Sequence, residues 1–210
     1  RPDALYLPNG VDPSHFGRPG PTPADAFALS PSARRPIAGY YGAIASWFDA
    51  ALLEDVARRL PGWDFLLIGP FYHWALEPWG LLNRPNVRWL GPREYAELPG
   101  YLAAFDVAII PFVVNEITLA TSPLKLFEFF AGGKPVVSTP LPECEAFPEV
   151  RIASDAAGFA RAVVVAAAWG KRPGSREALL AIADASSWDA RVERALARLR
   201  QPRGAPYGSA

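Results

Sequence analysis

The 210-residue chain has no methionine, one cysteine, two histidines and no net charge. Each scarcity excludes something. Cys144 cannot form an internal disulfide, and nothing near it has metal-ligand spacing. His15 and His73 are far apart in sequence, which argues against a histidine-based metal cluster. Its 21 basic residues are matched by 21 acidic ones, so no overall field draws the chain to nucleic acid or to an acidic membrane. No apolar run reaches membrane-spanning length and no signal peptide is present, so a soluble, cytoplasmic protein is expected. No Gly-x-Gly-x-x-Gly follows the first core strand and no Walker pattern occurs, which removes the fingerprints of nicotinamide and P-loop nucleotide sites. A start at Arg1 without methionine reads as part of a longer protein, and the closing "QPRGAPYGSA" as a disordered tail.

What is present is apolar and strongly patterned. Half the residues are hydrophobic, enough for one domain with a sizeable core. "LYLPNGV" at 5–11 predicts a short strand entering an Asn9-Gly10 turn, and the proline-rich stretch from Gly17 to Pro36 is expected to be irregular or only briefly helical. A repeating order follows. "PIAGYYG" predicts a buried strand, "DAALLEDVARRLPG" an amphipathic helix with Asp49 as its cap, and "WDFLLIGP" and "NVRWLGP" two further strands. "ELPGYLAAF" predicts a helix, "DVAIIPF" and "KPVVST" strands, and residues 156–169 and 187–200 two closing helices. Continuous apolar strands alternating with helices imply an α/β fold with a parallel sheet covered on both faces. Ligands of such sheets bind at the strands' carboxyl ends, which points to the loops after Tyr41, Ile68, Leu90, Ile110 and Ser138.

One stretch carries the chemistry. "TSPLKLFEFFAGG", 121–133, predicts a helix capped by Ser122, with Pro123 at its first position and Gly132-Gly133 at its end. Leu124, Phe127 and Ala131 form a core stripe, while Thr121, Lys125, Glu128 and Gly132 line a neighbouring one. Starting beyond a strand end, this helix aims free amides and the positive end of its dipole into the ligand crevice. Lys125 adds a full charge, and Glu128 can accept hydrogen bonds from vicinal hydroxyls such as those of ribose. On this stretch alone, an i,i+3 surface ion pair of about 0.2–0.5 kcal/mol explains the two residues equally well.

The ordered segments "LPNGVD", "GYYGAI", "LLIGP", "NVRWLGP", "YLAAFDVAIIPF" and "PLKLFEFFAGGKPVVST" resemble the C-terminal, donor-binding half of GT-B "group 1" retaining bacterial glycosyltransferases. The closing "SSWDARVERALARL" is similar to that family's last helix, so the likeness runs from about Leu5 to Leu199. It implies a Rossmann-like domain at 37–200, preceded at 1–36 by an opening strand and linker and followed at 201–210 by the tail. The implied ligand is a nucleoside-diphosphate sugar, with UDP or GDP foremost. No cofactor and no metal are implied, and an N-terminal half would hold the acceptor. The implied reaction is transfer of the sugar to a saccharide or lipid-linked acceptor, with a role in cell-surface polysaccharide synthesis and peripheral association with the inner membrane. By the same resemblance Glu128 holds the ribose, the amides of Ser122, Leu124 and Lys125, beside Thr121, face the diphosphate, and Gly42, Ala43 and Ile44 make the tight turn beside it. Arg93 lies in the base-contacting loop.

Two departures stand out. The glutamate usual eight positions before Glu128 is Ala120 here, leaving Glu116 as the substitute catalytic carboxylate, and the basic pair after the first glycine loop is missing from "GAIASWF". The absence of Asp-x-Asp argues against a metal-bridged diphosphate. Alternative readings are a non-catalytic nucleotide-binding or scaffolding module and, far behind, an NAD-type oxidoreductase domain. His15 and His73 are expected to be ordinary loop histidines, "FYHWALEPW" a core cap and Cys144 a packing residue.

Overall fold

The structure, a computed structural model, describes residues 4–27, 34–72 and 79–200. Six strands form one parallel sheet: β1 Ile37–Tyr41, β2 Asp64–Ile68, β3 Val87–Trp89, β4 Val107–Ile110, β5 Val136–Ser138 and β6 Arg151–Ile152. Their spatial order is β3-β2-β1-β4-β5-β6. β1 and β2 pair from Ile37↔Asp64 to Tyr41↔Ile68, and β1 meets β4 at Ala38↔Val107. Chain direction across the sheet reverses between β1 and β4, which opens a crevice at their carboxyl ends.

Every residue of β1, β2, β4 and β5 is buried, because helices cover both faces. The crossovers put α2 (Ala50–Arg59) and α3 (Trp79–Leu82) on one face, where α8 (Ala156–Gly170) packs against α2. The other face carries α4 (Leu98–Ala104), α6 (Leu124–Ala131) and α9 (Ser175–Ala185), with α1 (Pro13–Gly17) against α6. α5 (Glu116–Leu119) and α7 (Pro142–Glu145) are single turns, and α10 (Trp188–Arg200) closes the described chain. Asp49 caps α2 by accepting from the Leu52 amide, as its position predicted.

Four expectations from the sequence fail here. Residues 5–10 form no strand, and Val11 makes only an isolated bridge to Ser187. The segment's polar groups go elsewhere: Asn9 donates from its amide to Ser122 Oγ and from Nδ2 to Ser122 O, while Pro8 has no amide to offer. Ser122, engaged by Asn9, does not cap α6; Pro123 is its N-cap, in extended conformation at φ −69° and ψ 110°. The core stripe of α6 is also wrong, because Leu124 is 40 % exposed while Leu126 through Ala131 are all buried. A helix enclosed on nearly every side shows no single apolar face. Finally, three helices close the domain instead of two. The unforeseen α9 packs on α6, and its Arg176 donates to Gly132 O at the end of that helix. His73 and most of "FYHWALEPW", like the tail 201–210, lie outside the described residues.

The centre of the sheet leaves no room for an added atom. A Cβ on Gly39 in β1 would lie 2.2 Å from the Phe105 ring. Gly39→Ala is therefore expected to destabilise the domain by about 1–3 kcal/mol, the usual cost of overpacking. Urea titration is the check, and an unchanged midpoint would contradict this packing.

Candidate functional site

Three loops and one helix meet at the carboxyl end of the sheet. Beyond β1 and β2 the chain turns at Gly42 (φ 132°) and Gly69 (φ 131°), conformations that favour glycine. The two turns also touch: a Cβ on Gly69 would lie 2.2 Å from Gly42 O. The strand ends are stitched by Gly42 N–H to Ile68 O at 2.9 Å and Gly69 N–H to Gly91 O at 2.9 Å. Above them is a cavity of about 240 Å³, lined by Tyr41, Gly42, Ile68, Gly69, Pro70, Arg93, Tyr95, Leu98, Leu124, Lys125 and Glu128.

α6 supplies the charge. The first amide bonded at its amino end is that of Leu126, to Pro123 O; those of Leu124 and Lys125 find no acceptor among the described residues. The Lys125 ammonium lies 5.3 Å from the Tyr40 ring centre and 5.0 Å from that of Phe112. It has no ion-pair partner among the described residues. Burial pulls its pKa down to about 8, against the upward pull of Glu128. A Cβ on Gly42 would come within 2.9 Å of Lys125 Cε, so glycine is what lets this side chain lie across the turn.

Glu128, 4 % exposed, accepts a 3.0 Å hydrogen bond from Tyr95 OH at Oε1. Tyr41 OH faces the same carboxylate without closing a hydrogen bond. Burial raises the Glu128 pKa, and the two hydroxyls and Lys125 oppose the rise. The surface ion pair that the sequence left open is thus absent: both groups belong to the cavity. A cation beside free amides and a carboxylate one turn further along can receive a ligand with an anionic part next to adjacent hydroxyls.

The structure brings Gly42, Arg93, Leu124, Lys125 and Glu128 together at the cavity and leaves five other candidates outside its lining. Ala43 accepts from Tyr40 OH through its carbonyl, and Ile44 is buried in a bridge to Phe71. Thr121 Oγ1 bonds Ile117 O, and Ser122 holds Asn9. Glu116 is an exposed residue opening α5, and it meets the cavity only if that turn rearranges. Arg93 is present but committed, its guanidinium bonding Asp25, Tyr101 OH and Leu90 O. Cys144 is a buried packing residue whose pKa burial raises to about 11. Sequence reasoning missed Tyr41, Tyr95 and His15. His15 is no ordinary loop residue, since its ring stacks on Tyr95 at 4.5 Å. Aromatic residues just past strand ends were the available signal. Among the described residues no three His, Cys, Asp or Glu side chains gather in a way that could hold a metal.

Sheet order and crevice define a Rossmann-like α/β domain of the kind that makes up GT-B glycosyltransferases, with a cavity at its topological switch point. The sequence profile of the group 1 glycosyl transferases matches residues 36–168, and the chain belongs to that family. TuaH of Bacillus subtilis, named as a teichuronic acid biosynthesis glycosyltransferase, is 39 % identical over 107 residues, 50 % of this chain and 27 % of TuaH. A glycosyltransferase from Rickettsia africae superposes with a TM-score of 0.72 at 14 % identity, over 94 % of this chain and 58 % of its own. HepE of Anabaena, solved with UDP-glucose, gives 0.64 at 19 % identity over 90 % and 55 %. The chain therefore spans little more than half of these structures. No described helix is long and apolar enough to cross a membrane.

Lys125→Met is expected to stabilise the fold near pH 7. Desolvation lowers the pKa of the native ammonium from 10.5 to about 8, a cost of at most about 3–4 kcal/mol at roughly 1.4 kcal/mol per pKa unit. Between pH 8 and 10.5 the unfolded chain holds the Lys125 proton more tightly, so wild-type stability gains on the variant as pH rises through that window. Lys134, also lowered to about 8 by burial, is common to both proteins and cancels. Melts at pH 7 and pH 10 measure this; a gap that stays constant would place the ammonium in water.

Proposed function

We propose that this chain is the donor-binding domain of a metal-independent, retaining glycosyltransferase that uses a nucleoside-diphosphate sugar. One observation carries the reading: Lys125 presents a charge with no ion-pair partner among the described residues beside the free amides of α6, and Glu128 lies one turn deeper in the same cavity. The diphosphate would lie against Lys125 and those amides, and the ribose diol against Glu128. That HepE, of the same fold, is solved with UDP-glucose favours UDP as the nucleotide.

In the reaction the bond from the anomeric carbon to the diphosphate oxygen breaks, and its electron pair stays on that oxygen. The acceptor oxygen bonds to the anomeric carbon and gives up its proton. Negative charge grows on the diphosphate as the bond lengthens, and Lys125 with the amide dipoles offsets it. The acceptor and its proton acceptor belong to the part of the enzyme for which this chain has no counterpart, in our reading an N-terminal half. We assign residues 37–200 as the donor domain, with a saccharide or lipid-linked acceptor in cell-surface polysaccharide synthesis, the setting named for TuaH. We place it in the cytoplasm, at the membrane face where such acceptors lie. No cofactor enters this reading. A non-catalytic nucleotide-binding module is the second reading, and Ala120 in place of a carboxylate favours it.

Calorimetric titration with UDP, GDP, ADP and NAD is the test. A nucleoside diphosphate should bind with and without chelator; silence, NAD binding alone, or loss on chelation would refute the corresponding part. Glu128→Gln should weaken the nucleotide by about 1.5–3 kcal/mol, as for hydrogen bonds to a charged group. An unchanged affinity in the folded variant would remove Glu128 from the site.

Affinity should also depend on pH. Free Lys125 loses its proton at about 8, and the bound diphosphate holds it protonated. Binding should then weaken above that point by up to about tenfold per pH unit, with proton uptake visible in buffers of different ionisation enthalpy. A flat profile from pH 7 to 9.5 would exclude Lys125 as the counter-charge.

A further inference from the structure

Glu128 does not stand alone in the cavity; α1 holds the groups that hold it. His15 stacks on the Tyr95 ring with centres 4.5 Å apart and planes within 2°. Its Nε2 also lies 3.0 Å from Tyr95 O. Phe16, next in sequence, meets Tyr95 edge-on at 5.7 Å and lies parallel to Tyr41 at 6.2 Å. Asp12 caps this short helix by accepting from the amides of Ser14 and His15. Two phenols are thereby directed at one carboxylate, and one of them, Tyr95, closes its hydrogen bond to Oε1. Tyr95 is itself 51 % exposed, although its hydroxyl reaches a buried carboxylate.

We infer that Tyr95, braced by His15, is a positioning residue that sets the site's preference for ribose over 2′-deoxyribose. The inference rests on the proposed nucleotide reading and deepens it. An ionised carboxylate has about four acceptor positions on its two oxygens. Tyr95 takes one on Oε1 and Tyr41 OH faces the group, so the acceptor positions that remain can meet two adjacent ligand hydroxyls. Without the phenol the carboxylate loses both its fixed rotamer and a donor that keeps it ionised in a dry place. A protonated or rotated Glu128 meets one ligand hydroxyl as well as two, and the reading of the 2′-hydroxyl is lost. A site built to bond a hydroxyl discriminates strongly against the analogue lacking it, because its own buried group is left unpaired.

The experiment compares UDP, 2′-deoxy-UDP and inorganic pyrophosphate by calorimetry on wild type, Tyr95→Phe and His15→Ala, with a thermal melt of each. Wild type should prefer UDP to the deoxy analogue by about tenfold or more, the range for a hydrogen bond to a charged acceptor. Tyr95→Phe should bring the two within about threefold while changing pyrophosphate affinity by less than the ratio changes, since the phosphate groups face Lys125. His15→Ala, which removes the brace but keeps the phenol, should move the ratio the same way by less. Full ribose preference in folded Tyr95→Phe would overturn the inference, as would an equal loss of pyrophosphate, which marks a general structural effect. A wild type that binds UDP without preferring ribose would overturn it while nucleotide binding stands. A wild type that binds no nucleoside diphosphate would overturn the nucleotide reading and this inference together.

Discussion

An ammonium held against two aromatic rings, with no ion-pair partner among the described residues, is a costly arrangement for a fold. Lys125 occupies that position, and much of its surroundings serves to keep it there. Tyr40 and Phe112 offer the electron-rich faces that tolerate a cation. Gly42 leaves the space for its stem, and the turn at Gly69 lets the Gly42 backbone come close. α6 is buried from Leu126 to Ala131, and its one lysine and one glutamate both line the cavity. A domain that used this helix only for packing would gain stability by replacing Lys125 with an apolar residue. An anion bound in the cavity, as proposed, would offset that cost.

The same economy governs the strand ends. A parallel sheet collects the carboxyl ends of its strands on one side, and the reversal between β1 and β4 opens the space there. What fills the rim differs from position to position. Arg93 is spent on Asp25 and Tyr101, tying the loop after β3 to the short 3-10 turn at Ala24–Phe27. Tyr95, two residues on, is free to turn inward toward Glu128. A loop fixed by its arginine can present its tyrosine without ordering itself when ligand binds, and such preorganisation lowers the cost of binding.

The amino-terminal segment changes its meaning in the folded chain. As sequence it is a proline-broken prelude; as structure it is a brace. Asn9 ties it to Ser122 at the mouth of α6, Gly10 lies against Trp188 of α10, and α1 backs both phenols. Distant parts of the chain thus converge on the region around Glu128.

The amino-acid sequence by itself determined the strands from Ile37 to Ser138, the helices α2, α4, α8 and α10, and the pairing of Lys125 with Glu128 on one side of a buried helix. Those follow from local periodicity, caps and breakers, whose signals lie within a few residues of the structure they specify. It also pointed to the loops that bear the cavity, because carboxyl ends are fixed by strand direction. Tertiary structure alone decided the rest. Whether Ser122 caps its helix depended on Asn9, more than a hundred residues away, and whether Leu124 is core or rim depended on what covers α6. α9 is amphipathic but weakly marked, and it is held as a packing layer by Arg176 and by contact with α6. That Glu116 stands outside the cavity, while Tyr95 and His15 guard Glu128, required three separate segments to meet. Such meetings are set by side-chain packing across the fold, and no spacing along the chain encodes them.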